Sequence, residues 1–398
     1  MTGQERVYQW TEVVRSQLPH LSQPQATVLA LWSLGMVLAR SCALTAVSLL
    51  LAGWLGREPN TLRQRLREFL YDRTDKRGAQ RQALAVRTCF RALLAWVLRG
   101  YTGRQLALAL DATTLGDRFV VLAVRVVYRG CAIPVAWAVL RAGTPHGWRR
   151  EWLALLRLLW RAVPRDWTVI VLADRGLYAR WLYRRIVRLG WHPFLRINLG
   201  GTFRPDGQDA SRPLRAFVPA LGCAWAGRGT AFKGRRQLRC TLLARWENGY
   251  ADPWLILTDL PPEAADAAWY GMRAWVEQGF KLTKRAGWQW QRTRIQDPAR
   301  AERLWLAVAV ATLWLVRVGG EAEAAIADST LADLTPALSG MRRQRRATQA
   351  RLVGVFRRGW VLVLVALLTH APLPLGVLVP EPWPITPPLP AGQVSEAA

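Results

Sequence analysis

Acidic residues and lysine are scarce in this chain of 398 residues. It carries 27 Asp and Glu against 55 Lys and Arg, a formal net charge of +28, and only four of its cations are Lys. The shortage of acids excludes an acidic disordered protein, and a charge of this size predicts a polyanionic partner. For a chain of this length we expect that partner to be nucleic acid rather than a membrane surface.

Motifs that bind soft metals or nucleotides are also missing. The five Cys are odd in number and show no C-x-x-C spacing, which argues against a disulfide framework and a structural zinc site. The four His show no ligand spacing, and no G-x-x-x-x-G-K-[ST] is found, so a zinc nuclease and a P-loop ATPase are not indicated. No secretory signal opens the chain, which predicts a cytoplasmic location.

Apolar residues are plentiful, but no run of them is long. The longest are 27–39, 41–56, 304–316 and 360–368, each shorter than the roughly 20 residues that a membrane-spanning helix needs. With 51% hydrophobic residues and 22 Trp, the chain has ample material for a large core. We therefore predict that these runs are buried helices.

The first 100 residues have helical periodicity and a basic character. A helix over 62–70, capped by Asn60 or Thr61, places Arg63, Arg65 and Arg67 among apolar side chains. This helix is either a DNA-contacting element, through Arg63 and Arg67 in particular, or an ordinary solvated amphipathic face.

The middle of the chain predicts a mixed α/β fold. Strands at 106–110, 119–129 and 132–140 form an antiparallel meander, and a helix, the buried strand 167–173, a second helix and the strand 193–197 follow. Residues 199–262 carry two strands, 237–246 and 254–260, joined through Asn248-Gly249, and indicate an inserted β subdomain. Helices at 264–285 and 298–316 come next, and a Pro-rich extended tail begins at residue 371.

Two aspartates directly follow strands of this predicted sheet. Asp111 comes after 106–110 and Asp174 after 169–173, so both side chains are expected at one edge, where ligand sites concentrate. Either residue alone is also compatible with a helix cap or a turn. Their matched positions favour a shared site.

The predicted helix 264–285 adds a third element. At about 100° per residue, Tyr270, Arg273, Glu277, Lys281 and Lys284 fall on one narrow stripe. A stripe with a carboxylate, a hydroxyl and three cations suits a site that combines metal and phosphate, because two Mg²⁺ ions held by carboxylates can promote phosphodiester chemistry. The alternative is a solvated face with an Arg273–Glu277 ion pair.

The spacing Tyr270-x2-Arg273-x3-Glu277-x6-Lys284 resembles the Y-R-E-K signature of bacterial DDE transposases of the insertion-sequence type-four family. Asp111 in Asp-Ala-Thr-Thr-Leu and Asp174 in Asp-Arg-Gly-Leu-Tyr resemble the first and second catalytic acids of that family. The resemblance covers about residues 105–316.

This resemblance implies an RNase H-like catalytic core, formed by 101–198 and 263–320, with helices on the faces of its mixed sheet. Residues 1–100 would be a helical DNA-binding domain, 199–262 the inserted β subdomain, and 321–398 basic helices and the Pro-rich tail. Asp111, Asp174 and Glu277 would be catalytic ligands of two Mg²⁺ or Mn²⁺ ions. Tyr270, Arg273 and Lys284 would bind DNA phosphates, to which we add Lys281.

The implied reaction is cleavage at transposon ends, hairpin formation by the freed 3′-OH, reopening, and joining to target DNA. A Trp of the insertion, Trp246 or Trp254, would stack where a terminal base is flipped out, although either Trp is equally suited to a core. The expected partners are double-stranded DNA with terminal inverted repeats, target DNA and a second copy in a synaptic homodimer, in a bacterial nucleoid. Two alternatives stay open: an RNase H-like nuclease that does not join, and a domesticated DNA-binding protein without activity.

Overall fold

The computed structural model describes residues 2–76, 82–143, 148–327 and 353–385. The chain divides into two compact units. The first comprises Met1–Gly103, Ala112–Pro164 and Trp275–Glu381, and the second comprises Arg104–Asp111, Arg165–Ala274 and Pro382–Ala398.

The first unit holds nearly all of the described α-helices. They are α1 (Gly3–Gln17), α2 (Gln23–Ala39), α3 (Leu44–Leu55), α4 (Pro59–Phe69), α5 (Val86–Leu98), α6 (Trp148–Trp160), α8 (Trp275–Lys281), α9 (Pro298–Ala327) and α10 (Val355–Leu368), while α7 (Arg180–Arg188) belongs to the second unit.

The strands are shared between the units. The first unit contains β2 (Phe119–Tyr128) and β3 (Cys131–Arg141); the second contains β4 (Thr168–Ala173), β5 (His192–Arg196), β6 (Thr202–Pro205), β7 (Arg212–Pro213), β8 (Ala224–Ala231), β9 (Leu238–Arg245) and β10 (Trp254–Thr258); and β1 (Gln105–Leu115) begins in the second and continues into the first.

Local sequence signals explain where the N-terminal helices begin. Thr2 and Ser22 form capping boxes with Glu5 and Gln25, and so satisfy the first backbone N–H groups of α1 and α2. The predicted basic helix is α4, but its cap is Glu58 and not Asn60 or Thr61. The helix begins earlier because Pro59 suits the first turn of a helix, where its missing N–H costs nothing.

The β2–β3 hairpin turns through Arg129 and Gly130, whose φ angles are 45° and 78°. Two consecutive positive φ values make the tight turn that matches the twist of antiparallel strands. Both strands are almost wholly buried in the first unit, as the apolar runs predict.

Helices α9 and α10 cross at two glycines. A Cβ at Gly359 would lie 1.8 Å from the Leu315 carbonyl oxygen, and one at Gly319 would lie 1.9 Å from the Val355 carbonyl oxygen. Among the described residues, the α9 stretch Pro298–Ile326 is long and apolar enough to span a membrane, yet 89% of its most apolar window is buried inside the protein. Helices α2 and α3, which are bent by 92° relative to each other, reach the length and apolar character of a membrane-spanning helix only when they are counted as one segment. The apolar runs of α2 and α9 are core helices of the first unit, as predicted. The prediction of full burial is wrong for α3 and α10, which leave apolar side chains such as Leu49, Val365 and Leu368 exposed.

The described part of the Pro-rich tail has no regular structure but is tied to the first unit. The Trp314 indole donates to the Pro374 carbonyl (2.8 Å), Arg317 to Gly376 (3.0 Å), and the Tyr128 hydroxyl to Val379 (2.8 Å). Side chains of β2 and α9 thus satisfy carbonyls that a Pro-rich segment cannot pair in a helix. The rest of the predicted C-terminal segment, 328–352 and 386–398, lies outside the described residues.

The second unit is built on a mixed sheet. β1 and β5 pair parallel with β4, and β10, β9, β8, β6 and β7 continue from β5 in antiparallel pairs. β4 is apolar and buried, as expected for a parallel strand covered on both faces. The predicted mixed α/β class is confirmed. The four-part domain division stays a prediction.

Candidate active site

Asp111 and Asp174 occupy equivalent positions on adjacent parallel strands of the second unit. The register pairs Leu110 with Ala173, and each aspartate is the next residue along its strand. The prediction that Asp111 ends its strand is wrong, because β1 runs on to Leu115. The prediction that both carboxylates lie at one level of the sheet depends only on how β1 pairs with β4. The pairing of Leu110 with Ala173 agrees with this prediction.

A turn after β4 orients the Asp174 carboxylate. Its Oδ1 accepts hydrogen bonds from the backbone N–H groups of Gly176 (3.0 Å) and Leu177 (3.2 Å). This side-chain turn is a common conformation of Asp after a strand. Because Oδ1 is engaged by the backbone, Oδ2 is the oxygen directed to a cation.

That cation is Arg273. Its Nη2 lies 2.9 Å from Asp111 Oδ2 and 3.4 Å from Asp174 Oδ2, so one nitrogen bridges both carboxylates. Arg273 is 8% exposed, and the side chains of Asp111 and Asp174 are 16% and 41% exposed. Such a charge-assisted bridge offsets the repulsion between two neighbouring carboxylates.

Tyr270 lies on the same segment as Arg273 and is buried. Its ring packs edge-on against Trp254, with centroids 5.4 Å apart, and Trp254 packs in turn on Tyr250 at 4.8 Å. Burial raises the pKa of the Tyr270 hydroxyl to about 12, although the positive charges of Arg273 and Arg196 act to lower it. The hydroxyl is therefore neutral at physiological pH and available to donate a hydrogen bond.

The predicted continuous helix over 264–285 is wrong. The chain forms a 3-10 segment at Ala267–Ala274, the short α8 and a π-helical turn at Leu282–Ala286. Tyr270 and Arg273 thus lie on tight 3-10 turns, and the angular stripe calculated for an ideal α-helix does not apply. Packing of Trp254 on Tyr270 and of Phe194 on Trp269 outweighs the helical propensity of this segment.

Glu277, Lys281 and Lys284 belong to the first unit. Glu277 and Lys281 lie on α8 with exposed side chains, and Lys284 is half-buried on the π turn. Burial, helped by the charge of Arg285, lowers the pKa of Lys284. The buried Arg125 of β2 holds α8 in this unit, with its guanidinium 4.2 Å from the centroid of the Phe280 ring.

The other predicted DNA contacts are dispersed. Arg63 and Arg67 are exposed on α4, while Leu62, Leu66 and Phe69 of that helix are buried. In the second unit, Trp254 is 7% exposed. Trp246 is half-exposed, and its indole donates to the Tyr250 carbonyl at 3.1 Å. Across the described part of the chain, no group of three or more His, Cys, Asp or Glu residues is arranged to hold a metal ion.

One cation near Tyr270, Arg196, was not predicted. It ends β5, directly after the register partner of Ala173, its Nη2 donates to the Pro253 carbonyl at 3.2 Å, and its charge acts to lower the pKa of Tyr270. The sequence could have indicated Arg196. It comes directly after Leu195, the register partner of Ala173 on the third parallel strand, just as Asp174 comes directly after Ala173. Sequence reasoning also missed the contact of Arg273 with both aspartates, since spacing does not define side-chain partners across a sheet.

Comparison with known proteins was made at the level of family, sequence and structure. No curated protein matches the chain. The similar structures include a "piggyBac transposase synaptic complex with hairpin DNA" (12% identity, 78% of this chain and 72% of that chain covered, TM-score 0.40) and the "Mos1 Strand Transfer Complex" (19% identity, 40% and 56% covered, TM-score 0.16). These TM-scores are too low to support an argument.

The family comparison is more informative. Residues 136–314 match the family described as "Transposase DDE domain". The matched range contains Asp174, Tyr270, Arg273, Glu277 and Lys284, and Asp111 precedes it on β1. This match supports a DDE transposase, a protein of DNA recombination by transposition.

Proposed function

We propose that the chain is a DNA transposase of the insertion-sequence type-four kind, which cuts at transposon ends and joins them to target DNA, with a hairpin intermediate. The observation that carries the proposal is the pair Asp111 and Asp174, whose Oδ2 atoms both contact one cationic nitrogen directly after the last register pair of β1 and β4. The family match at residues 136–314 supports the same conclusion independently.

The acid pair suits hard divalent cations. Mg²⁺ and Mn²⁺ prefer carboxylate oxygens, and the Arg273 nitrogen stands in for a cation between the two aspartates. Asp111 and Asp174, with Glu277 as the third ligand, would hold two such ions. When bound, the ions supply stabilisation of negative charge on the attacking and leaving oxygens of a phosphodiester.

The remaining residues have roles in binding and orientation. The neutral Tyr270 hydroxyl is a hydrogen-bond donor for a phosphate oxygen, and Arg273, Lys281 and Lys284 supply positive charge. Trp246 is the better placed of the two insertion Trp residues for stacking on a displaced base, because Trp254 is buried against Tyr270. Trp254 then supports Tyr270 rather than DNA.

The wider proposal concerns fold and partners. The mixed sheet of the second unit, with two acids directly after the last register pair of neighbouring parallel strands, supports an RNase H-like core. The net charge of +28 supports binding to DNA in general, and the DNA partners that we propose are terminal inverted repeats and target DNA. Synapsis of two ends calls for a homodimer on DNA.

The test uses the full chain and end-labelled DNA that bears the inverted repeats flanking the coding region. Wild type with Mg²⁺ should give nicked, hairpin and joined products, and Asp111→Asn, Asp174→Asn and Glu277→Gln should each abolish all three while binding the end within a fewfold of wild type. Asp206→Asn is the matched control, since this exposed acid of the second unit pairs with Arg239 and is expected to leave cleavage intact.

The products separate the alternatives. Cleavage without joined product indicates a nuclease, and binding without cleavage by wild type indicates a domesticated DNA-binding protein. Near wild-type cutting by one of the three variants means that its residue is wrongly assigned.

A further inference from the structure

The Asp111–Asp174 pair already contains its own counter-ion. The two Oδ2 atoms flank a single nitrogen of Arg273, at 2.9 Å and 3.4 Å, and the Arg273 side chain is almost fully buried. Two carboxylates that share a partly buried site repel each other unless a positive charge lies between them. The Arg273 guanidinium provides that charge.

We propose that Arg273 is the internal counter-cation of the Asp111–Asp174 pair and that the pair takes up a divalent metal ion only when Arg273 moves away from it. This inference rests on the proposed function, because it takes Asp111 and Asp174 to be metal ligands.

Competition follows from the atoms involved. Asp174 Oδ1 accepts two backbone hydrogen bonds, so Oδ2 is the oxygen that it offers to a cation. Asp111 also offers Oδ2 to the same nitrogen. Both carboxylates would offer a divalent ion the same Oδ2 atoms that now contact Nη2, and like charges repel at such short range, so the pair would hold either the guanidinium or the ion.

Displacement would also change what Arg273 can bind. While its Nη2 contacts both carboxylates, that nitrogen is not available to a phosphate. Once displaced, the guanidinium offers its planar set of donors to a phosphodiester, the anion for which arginine is best suited. Metal binding would therefore precede the engagement of DNA by Arg273.

The experiment measures Mn²⁺ binding by the full-length, EDTA-treated protein without DNA, together with its thermal unfolding. Arg273→Gln removes the competing charge, so it should bind Mn²⁺ about tenfold more tightly than wild type. The same variant should unfold at a lower temperature without metal, because the two carboxylates are then uncompensated, and should gain more from Mn²⁺ than wild type does. Arg273→Lys keeps the charge and should stay close to wild type.

Arg239→Gln is the matched control. It breaks another Arg–Asp pair of the second unit, with Asp206 at 3.0 and 2.9 Å, and should leave Mn²⁺ affinity unchanged. A second readout uses wild type alone: Mn²⁺ should increase the reaction of Arg273 with phenylglyoxal, followed by mass spectrometry of its peptide. This readout tests the proposal even if Arg273→Gln does not fold.

The outcomes distinguish this inference from the proposed function. If Asp111→Asn and Asp174→Asn abolish Mn²⁺ binding but Arg273→Gln binds Mn²⁺ no more tightly than wild type, displacement is wrong and the metal site stands. If neither aspartate variant affects Mn²⁺ binding, the metal assignment fails, and displacement fails with it. Unchanged phenylglyoxal reactivity on adding Mn²⁺ also overturns displacement.

Discussion

Leu110 of β1 and Ala173 of β4 are the last register partners of two parallel strands, and an aspartate follows each of them. Parallel strands present equivalent positions at one edge, so this single backbone pairing brings Asp111 and Asp174 to a common cation. The same level of β5 carries Arg196. The site thus depends on strand register more than on any loop.

The first prediction concerns α4. Replacing Arg63 and Arg67 together by Gln should weaken binding to end DNA and reduce the slope of log K against log salt by about 2, because each exposed Arg is expected to neutralise one phosphate. Gel-shift titrations at several salt concentrations measure this slope. Gln64→Ala, an exposed change on the same helix, is the control, and an unaltered slope in the double variant would assign α4 to a solvated face.

The two insertion Trp residues should behave differently. Trp246→Ala removes a half-exposed ring and should leave first-strand nicking intact while reducing hairpin formation tenfold or more. Trp254→Ala removes a buried ring that packs on Tyr270 and Tyr250, so it should lower stability by about 3–5 kcal/mol and affect both steps. A denaturing gel resolves nick from hairpin, and equal loss of both products in Trp246→Ala would contradict a role in stacking.

The close crossing of α9 and α10 predicts that one methyl group added at Gly359 lowers the stability of the fold strongly. Gly359→Ala should lower the melting temperature markedly, since the added Cβ would meet the Leu315 carbonyl at 1.8 Å and force the helices apart. Gly53→Ala, in α3, is the matched control: nothing lies within 4 Å of its Cβ, and the helix should gain up to about 1 kcal/mol. Thermal unfolding of both variants compares them directly, and similar melting temperatures would mean that the helices do not cross this closely.

Stability should fall as pH rises through the range in which Glu302 ionises. Burial raises the pKa of this α9 carboxyl to about 7, with Glu151 raising it further and Arg87 and Arg303 lowering it. The folded state therefore binds the proton more tightly than the unfolded state, so the stabilisation is complete below about pH 4.5 and is lost by about pH 7.

Glu302→Gln tests this dependence. The variant should unfold near the wild-type temperature at pH 5 and at a higher temperature at pH 8, as measured by thermal unfolding in matched buffers. The reverse order, with wild type more stable at pH 8, would mean that the Arg87 contact at 3.9 Å outweighs burial.

The strands and long helices of this chain can be predicted from the sequence. The conformation of the segment 264–285 cannot. The apolar runs of β1 and β4 and the paired runs of β2 and β3 indicate strands directly, and the first two give the positions of Asp111 and Asp174. The 264–285 segment has helical residues throughout, yet the packing of Trp269 and Tyr270 on strands makes its first part 3-10. Such packing depends on residues far apart in sequence, among them Phe194 and Trp254.

The partners of charged side chains are the least predictable part of the site. On an ideal helix Arg273 would face Glu277, four residues on, whereas in the folded chain it contacts Asp111 and Asp174. No periodicity encodes this choice, because it depends on which carboxylates the sheet brings within reach.

The hydrogen bonds that hold the C-terminal segment have a consequence for folding during synthesis. Arg6 of α1, buried, donates to the carbonyls of Leu367 (2.6 Å) and Ala371 (3.2 Å), and Tyr128 and Trp314 hold the segment that follows. A chain leaves the ribosome N-terminus first, so the Arg6 side chain must wait for residues synthesised more than 360 positions later, as the sequence separation of these bonds shows. The Arg6 side chain therefore reaches its final hydrogen bonds only after residue 371 has been synthesised, and a nascent chain stopped before residue 367 lacks both of these carbonyl partners.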